Sequence, residues 1–101
     1  MTNVDLAYAS ATELLKLFKA RKASPVELLK AQIARSGKLN KEINCLADCY
    51  FDEALVKAKA AEQLYAKRGF KPRALEGIPL LVKDAQRVKD KRTTHGSLVF
   101  A

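Results

Sequence analysis

Apolar residues recur at intervals of three and four along much of the first seventy positions, which is the spacing of helices that bury one face. Ser10 and Ser24 each precede a glutamate by three residues, and Ser-x-x-Glu is the pattern of a capping box at a helix N-terminus. The pattern predicts helices at about residues 10–22, 25–36 and 52–68.

Single residues mark the predicted ends of these helices. Gly37 and Gly69 are predicted C-caps, because glycine readily adopts the left-handed backbone angles that end many helices. Asp52 is the predicted N-cap of the third helix. Residues 1–9 are predicted to form a lead-in segment before the first helix.

Two shorter apolar segments predict strands, at about residues 43–50 and 77–83. In the first segment, Asn44 and Asp48 alternate with apolar residues. The second contains the most apolar run of the chain and begins at turn-forming residues, which is typical of a strand buried on both faces. Helices and strands together predict an α/β fold, with a mixed sheet covered by helices.

The second predicted strand ends on Lys83 and Asp84. Polar residues at the point where a buried strand leaves its sheet often form active sites in α/β proteins, so Lys83 is the candidate catalytic residue. Spacing alone leaves a second interpretation open, in which Lys83 extends to water from the strand end. Asp84 either caps the following loop or joins the polar network around Lys83, and we favour the structural role.

Composition limits the kinds of partner. The chain has 101 residues, 49% of them apolar, and a net charge of +8, which fits one small domain or a piece of a larger one. Basic residues are spread along helix faces without interleaved aromatic residues, so we predict no binding to nucleic acid or membrane. The sequence has neither a signal-peptide pattern nor a membrane-spanning segment, which predicts a cytoplasmic location.

Cys45 and Cys49 lie in the first predicted strand. Residues four apart share one face of a strand but are too far apart to form a disulfide without distortion, so we predict buried, reduced thiols. No histidine or cysteine cluster accompanies them, so we predict no metal site, and no residue pattern implies a cofactor.

Two motifs in the second half of the chain carry a family resemblance. EGIPLLVKD at 76–84, followed by TTHGS at 93–97, resembles the N-terminal motif of the amidase signature family, which reads approximately G-I-P-hydrophobic-hydrophobic-V-K-D and then T-T-x-G-S. The resemblance covers about residues 10–101. It implies that residues 1–101 are the N-terminal fragment of one amidase signature domain, comprising its N-terminal helices and first strands. The apolar run at 98–101 also leads us to expect a longer parent protein.

The resemblance implies a mechanism as well. Members of the family hydrolyse carboxylic amides, or transfer the released ammonia, through a Ser–cis-Ser–Lys triad in which Lys83 matches the lysine. The neutral lysine accepts the proton that the cis-serine relays from the nucleophilic serine. Both family serines and the oxyanion-hole glycines lie beyond residue 101. We therefore expect this chain alone to be inactive, and its parent to act on a small-molecule amide; a homodimer of the parent is also possible.

A few positions depart from the family pattern. Ala85 stands where many members have asparagine, and Arg87 and Asp90 stand where many have aspartate and glycine. His95 falls at a variable position and receives no catalytic role. The departures leave the subgroup open.

Two alternatives to an amidase fragment remain at this point. One is a non-catalytic, truncated helical module that binds a partner, and the other is a fragment of a glutamyl-tRNA amidotransferase A-type subunit. The latter would require an ammonia-channel partner and tRNA, and no residue of this chain indicates either.

Overall fold

Helices are the main regular elements of this chain. The computed structural model describes residues 3–101, with side chains described from Asp5 onward. The described elements, in chain order, are α1 (Asn3–Tyr8), α2 (Ala11–Lys19), α3 (Pro25–Ile43), α4 (Phe51–Ala66) and a short 3₁₀ helix (Leu98–Phe100). The predicted lead-in segment is therefore largely helical, and its first two residues lie outside the described part.

Ser10 and Ser24 are the N-caps of α2 and α3, and the capping box is complete at α2 only. At α2, Ser10 Oγ accepts a hydrogen bond from Glu13 N at 3.2 Å, and Glu13 Oε2 accepts one from Ser10 N at 2.9 Å, which completes a capping box. At α3, Ser24 Oγ accepts a hydrogen bond from Glu27 N at 3.2 Å, and proline occupies the first helical turn. These bonds satisfy backbone donors that have no partner inside the helix.

Several other predicted helix ends are wrong. α2 ends at Lys19 rather than near residue 22, and Lys67, not Gly69, is the C-cap of α4. Gly37 lies inside α3, which continues to Ile43 and ends at Asn44 in the left-handed conformation, with φ of 52°. One glycine costs a helix only about 1 kcal/mol relative to alanine, and α3 offsets this by packing against both α1 and α4. Asp52 is not the N-cap of α4; Tyr50 is, without a side-chain cap, and Asp52 lies in the first turn.

The core is built between the helices. Leu28 has no exposed surface, and Phe18 is almost fully buried. Tyr65 of α4 joins them, with its ring centroid 5.5 Å from that of Phe18 and 5.6 Å from that of Phe70. Ala58 and Ala61 are buried on the same face of α4. Small residues there permit the close approach of α3.

Neither predicted strand forms among residues 3–101. The segment at 43–50 starts with Ile43, which is the last residue of α3, and is irregular from Asn44 onward. The side chain of Asn40, rather than a neighbouring strand, hydrogen-bonds the backbone of Leu46. Asn40 Oδ1 accepts a hydrogen bond from Leu46 N at 2.9 Å, and Asn40 Nδ2 donates one to Leu46 O at 3.4 Å. Cys45 and Cys49 are free thiols, but both are exposed, so their predicted burial is wrong.

The second predicted strand, 77–83, is also irregular in this chain. A strand needs a neighbour to pair its backbone N–H and C=O groups, and no segment among residues 3–101 pairs with it. Leu80 and Leu81 are 80% and 81% exposed. The radius of gyration is 15.1 Å, compared with about 13 Å for a compact domain of this length, so the chain is less compact than such a domain. The regular elements of the described part are all helices, and the sheet of the α/β prediction is not present in it.

Candidate active site

The first half of the EGIPLLVKD motif docks on the helical core. Glu76 is buried, its carbonyl accepts a hydrogen bond from Tyr65 Oη at 2.8 Å, and its carboxylate accepts one from Arg73 Nε at 2.6 Å. Burial, and secondarily the Glu76 charge, raise the pKa of the Tyr65 hydroxyl. Gly77 follows in a left-handed conformation, and Ile78 packs against the core. Residues 76–78 are therefore held against the helical core, and the rest of the motif starts from that position.

The second half of the motif extends away from that point. Lys83, the predicted catalytic residue, is exposed in this chain. Its ammonium group makes no hydrogen bond or ion pair within the part of the chain whose side chains are described.

Asp84 connects the two motifs. Its carboxylate accepts hydrogen bonds from Thr94 N at 2.9 Å, from Thr94 Oγ1, and from Gly96 N at 3.4 Å. Its carbonyl accepts one from His95 N at 3.0 Å. The bonds from Thr94, first from its side chain and then from its backbone, hold the pKa of the Asp84 carboxyl below its ordinary value. This agrees with the structural role that we favoured for Asp84.

The TTHGS motif forms a tight turn. Ser97 N donates a hydrogen bond to Thr94 O at 2.9 Å, and the two central residues, His95 and Gly96, have φ of 53° and 72°. Positive φ at both central positions is characteristic of a type I′ turn, and glycine is favoured there. We call residues 94–97, together with the Asp84 carboxylate that binds them, the Asp84 turn.

Lys83 lies beside the Asp84 turn at an open cleft of about 400 Å³. The cleft is lined by Lys83, Asp84, Ala85, His95 and Gly96. His95 also contacts the ring of Phe100, with centroids 5.7 Å apart. The structure therefore brings the predicted lysine and the TTHGS motif together, although they are ten or more positions apart in sequence.

Four residues that sequence reasoning missed connect this region to α4 and to the segment between α3 and α4. Arg92 donates to Asp48 through Nη2 at 2.9 Å and Nε at 3.4 Å, and Lys91 forms an ion pair with Glu53. The Lys91 ammonium also lies 4.2 Å from the ring centroid of Tyr50. We call the pairs Asp48–Arg92 and Glu53–Lys91 the clasp. The members of each pair are 44 and 38 positions apart, so no local pattern could have indicated them.

Among the described residues, no group of three or more histidine, cysteine, aspartate or glutamate side chains could hold a metal ion. No helix in the described part of the chain is long and apolar enough to cross a membrane.

Comparison with known families tests the family resemblance that the two motifs indicated. A family model described as Amidase matches residues 27–101, which include most of α3, all of α4 and both motifs. This chain belongs to the amidase family. The predicted resemblance is confirmed.

Individual relatives are of two kinds. The chain is 33% identical over 91 residues to a protein of Schizosaccharomyces pombe named as a candidate amidase, which covers 90% of this chain and 17% of the relative. It is 37% identical over 93 residues to the A subunit of the glutamyl-tRNA(Gln) amidotransferase of Dehalococcoides mccartyi, and 38% over 96 residues to that of Pelagibacter ubique. Those alignments cover 92% and 95% of this chain, and 19% of each relative.

The chain therefore spans less than a fifth of the length of the curated relatives that it matches. No solved structure matches it.

Proposed function

We propose that this chain is the N-terminal part of an amidase that hydrolyses carboxylic amides, and that Lys83 is the base of its catalytic triad. The single observation that carries the proposal is the joining of the two family motifs by the Asp84 carboxylate, which places Lys83 next to a fixed turn. Because Lys83 has no partner among the described side chains, its amine is free to meet catalytic groups supplied elsewhere in the parent.

The proposed chemistry follows from the roles that the family motif implies. A serine hydroxyl attacks the amide carbonyl, a cis-serine takes its proton, and the neutral Lys83 amine accepts that proton in turn. The proton passes to the leaving amine as the carbon–nitrogen bond breaks, which leaves an acyl-serine. Water then attacks the acyl-serine with the same proton relay, so that the acid is released, the serine is restored and Lys83 ends each half-reaction neutral. In the parent, we expect the sheet to cover Lys83 and favour the neutral amine, because burial disfavours an ammonium ion. The domain assignment, a single amidase signature domain beginning in residues 1–101, is part of this proposal, as are a cytoplasmic location and a small-molecule amide as substrate.

A full-length parent carrying Lys83→Ala tests the role of Lys83. We expect amide turnover to fall by roughly 10²–10⁴-fold, which is the usual value of a positioned acid–base group. Lys83→Arg should fail as well, because a guanidinium stays protonated at any working pH. His95→Ala is the matched control, since His95 lines the same cleft but has no proposed part in proton transfer. Near-normal turnover of Lys83→Arg would refute the assignment of Lys83 as the base.

The present chain provides a second test. It contains one member of the proposed triad, so purified chain should not hydrolyse simple aryl or aliphatic amides. Turnover that persists through further purification and disappears in Lys83→Ala would contradict the proposal, because it would require a nucleophile within these 101 residues.

A second candidate function is membership of a glutamyl-tRNA amidotransferase complex. The relatives that carry this name are 37% and 38% identical to the chain, slightly above the amidase-named protein of Schizosaccharomyces pombe. Comparing hydrolysis of simple amides with ammonia transfer to glutamyl-tRNA in the parent separates the two. Efficient hydrolysis without tRNA supports the free amidase, whereas turnover that needs tRNA and a partner protein supports the amidotransferase.

A further inference from the structure

The clasp joins parts of the chain that are distant in sequence. The ion pairs Lys57–Glu53 and Arg73–Glu76 each join residues only four or three positions apart. The Asp48–Arg92 and Glu53–Lys91 pairs instead connect the segment before α4 and the first turn of α4 to the segment between the two family motifs. Ion pairs that join distant segments fix a relative position, which local pairs do not.

The clasp acts close to the Asp84 turn. Arg92 is two residues before Thr94, whose amide and hydroxyl both bind the Asp84 carboxylate. The guanidinium of Arg92 donates hydrogen bonds to the Asp48 carboxylate from two nitrogens. This bidentate geometry fixes the orientation of the two side chains as well as the distance between them. Lys91 is held from two sides, by the Glu53 carboxylate and by the ring of Tyr50. A continuous path of contacts therefore runs from α4 to Asp84, the neighbour of Lys83.

We propose that Asp48 and Glu53 are positioning residues, which hold the Asp84 turn against α4 and thereby fix the place of Lys83. The inference rests on the proposed function, because the consequence for catalysis requires Lys83 to be the base. Without the clasp, the segment from Lys83 to Thr94 keeps the bonds of the Asp84 turn but loses its attachment to the helices. Misplacing a catalytic group by about 1 Å can lower the rate by about 100-fold.

The first arm of the test uses this chain alone and measures amide hydrogen exchange at Thr94 and Gly96. Asp48→Asn combined with Glu53→Gln removes both carboxylates with little change in shape. We expect at least a threefold acceleration of exchange at these amides, relative to amides in α2. Lys57→Gln is the matched control, because it breaks an ion pair with the same Glu53 that stays within α4. Exchange no faster in the double variant than in Lys57→Gln would overturn the inference.

The second arm uses the full-length parent and separates kcat from KM. We expect the double variant to lower kcat by about 10-fold to 100-fold with little change in KM or thermal midpoint, because the clasp residues do not line the cleft at Lys83 and surface ion pairs contribute little to stability. Asp48→Glu, which keeps the carboxylate, should restore most of the kcat lost in Asp48→Asn. An unchanged kcat, or a kcat loss that Asp48→Glu does not restore, would overturn the positioning role.

The two proposals can fail separately. If Lys83→Ala retained normal turnover, the role of Lys83 as base would be wrong, whatever the clasp does to exchange at Thr94. If Lys83→Ala abolished turnover while the double variant kept normal kcat, the proposed function would stand and the positioning inference would fall.

Discussion

Gly77 and Pro25 lie too close together for any side chain between them. A Cβ built on Gly77 would be 2.6 Å from Pro25 Cγ and 3.1 Å from Pro25 Cβ. Pro25 is fully buried at the start of α3, so its ring cannot move aside. Gly77 also has φ of 86°, which residues with a Cβ rarely adopt. The glycine of the first motif is therefore required where that motif meets the helical core.

Gly77→Ala should destabilise the chain more than Gly69→Ala does. Both glycines have positive φ, so each substitution should cost about 1–2 kcal/mol of backbone strain. Only Gly77→Ala also creates a clash with the core. Inserting atoms into a well-packed core costs about 1–3 kcal/mol, which adds to the backbone strain. A Cβ at Gly69 meets nothing within 4 Å. Urea unfolding of the two variants checks this, and equal losses in the free energy of unfolding would contradict the close approach.

The helices and their caps were largely readable from the sequence because their determinants are local. Ser10 and Glu13 are three positions apart, and a capping box requires no knowledge of the rest of the chain. The C-terminus of α3 was not readable in this way. A glycine at Gly37 is a weak signal, and packing of α3 between two other helices outweighs it.

The strands were misjudged for a different reason. The apolar run ending at Lys83 has the composition of a buried strand, but a strand forms only when another segment supplies hydrogen bonds on its edge. For the candidate site, the sequence indicated Lys83 and the second motif, whereas the role of Asp84 in joining them became definite only in the structure. The clasp was not predictable at all, because Asp48 and Arg92 meet through the path of the whole chain.

The exposed apolar run should make this chain prone to self-association. Leu80 and Leu81 are about four-fifths exposed, and exposed contiguous apolar surface favours association. Leu80→Gln with Leu81→Gln should reduce association in sedimentation experiments while changing the free energy of unfolding by less than about 0.5 kcal/mol, as surface substitutions usually do. Leu28→Ala is the contrasting control, because Leu28 is fully buried and its truncation should cost about 2–5 kcal/mol. Persistent association in the double glutamine variant would show that another surface is responsible.

The Asp84 turn should lose stability at low pH. The hydrogen bonds from Thr94, first from its hydroxyl and then from its amide, hold the pKa of Asp84 below the ordinary value of 3.8. A carboxyl whose pKa is lowered by folding stabilises the turn above its unfolded pKa, and that contribution is lost as the pH falls through the lower folded pKa. The amide resonances of Thr94 and Gly96 should therefore titrate together with a midpoint below 3.8.

Thr94→Val removes the largest cause of the lowered Asp84 pKa, so it should move this midpoint upward, and Asp84→Asn should abolish the titration. Asp52→Asn serves as the control, because it removes a carboxylate of α4 outside the turn and should leave the midpoint unchanged. A midpoint at or above 3.8 in the unsubstituted chain would mean that the carboxylate does not bind the turn in solution.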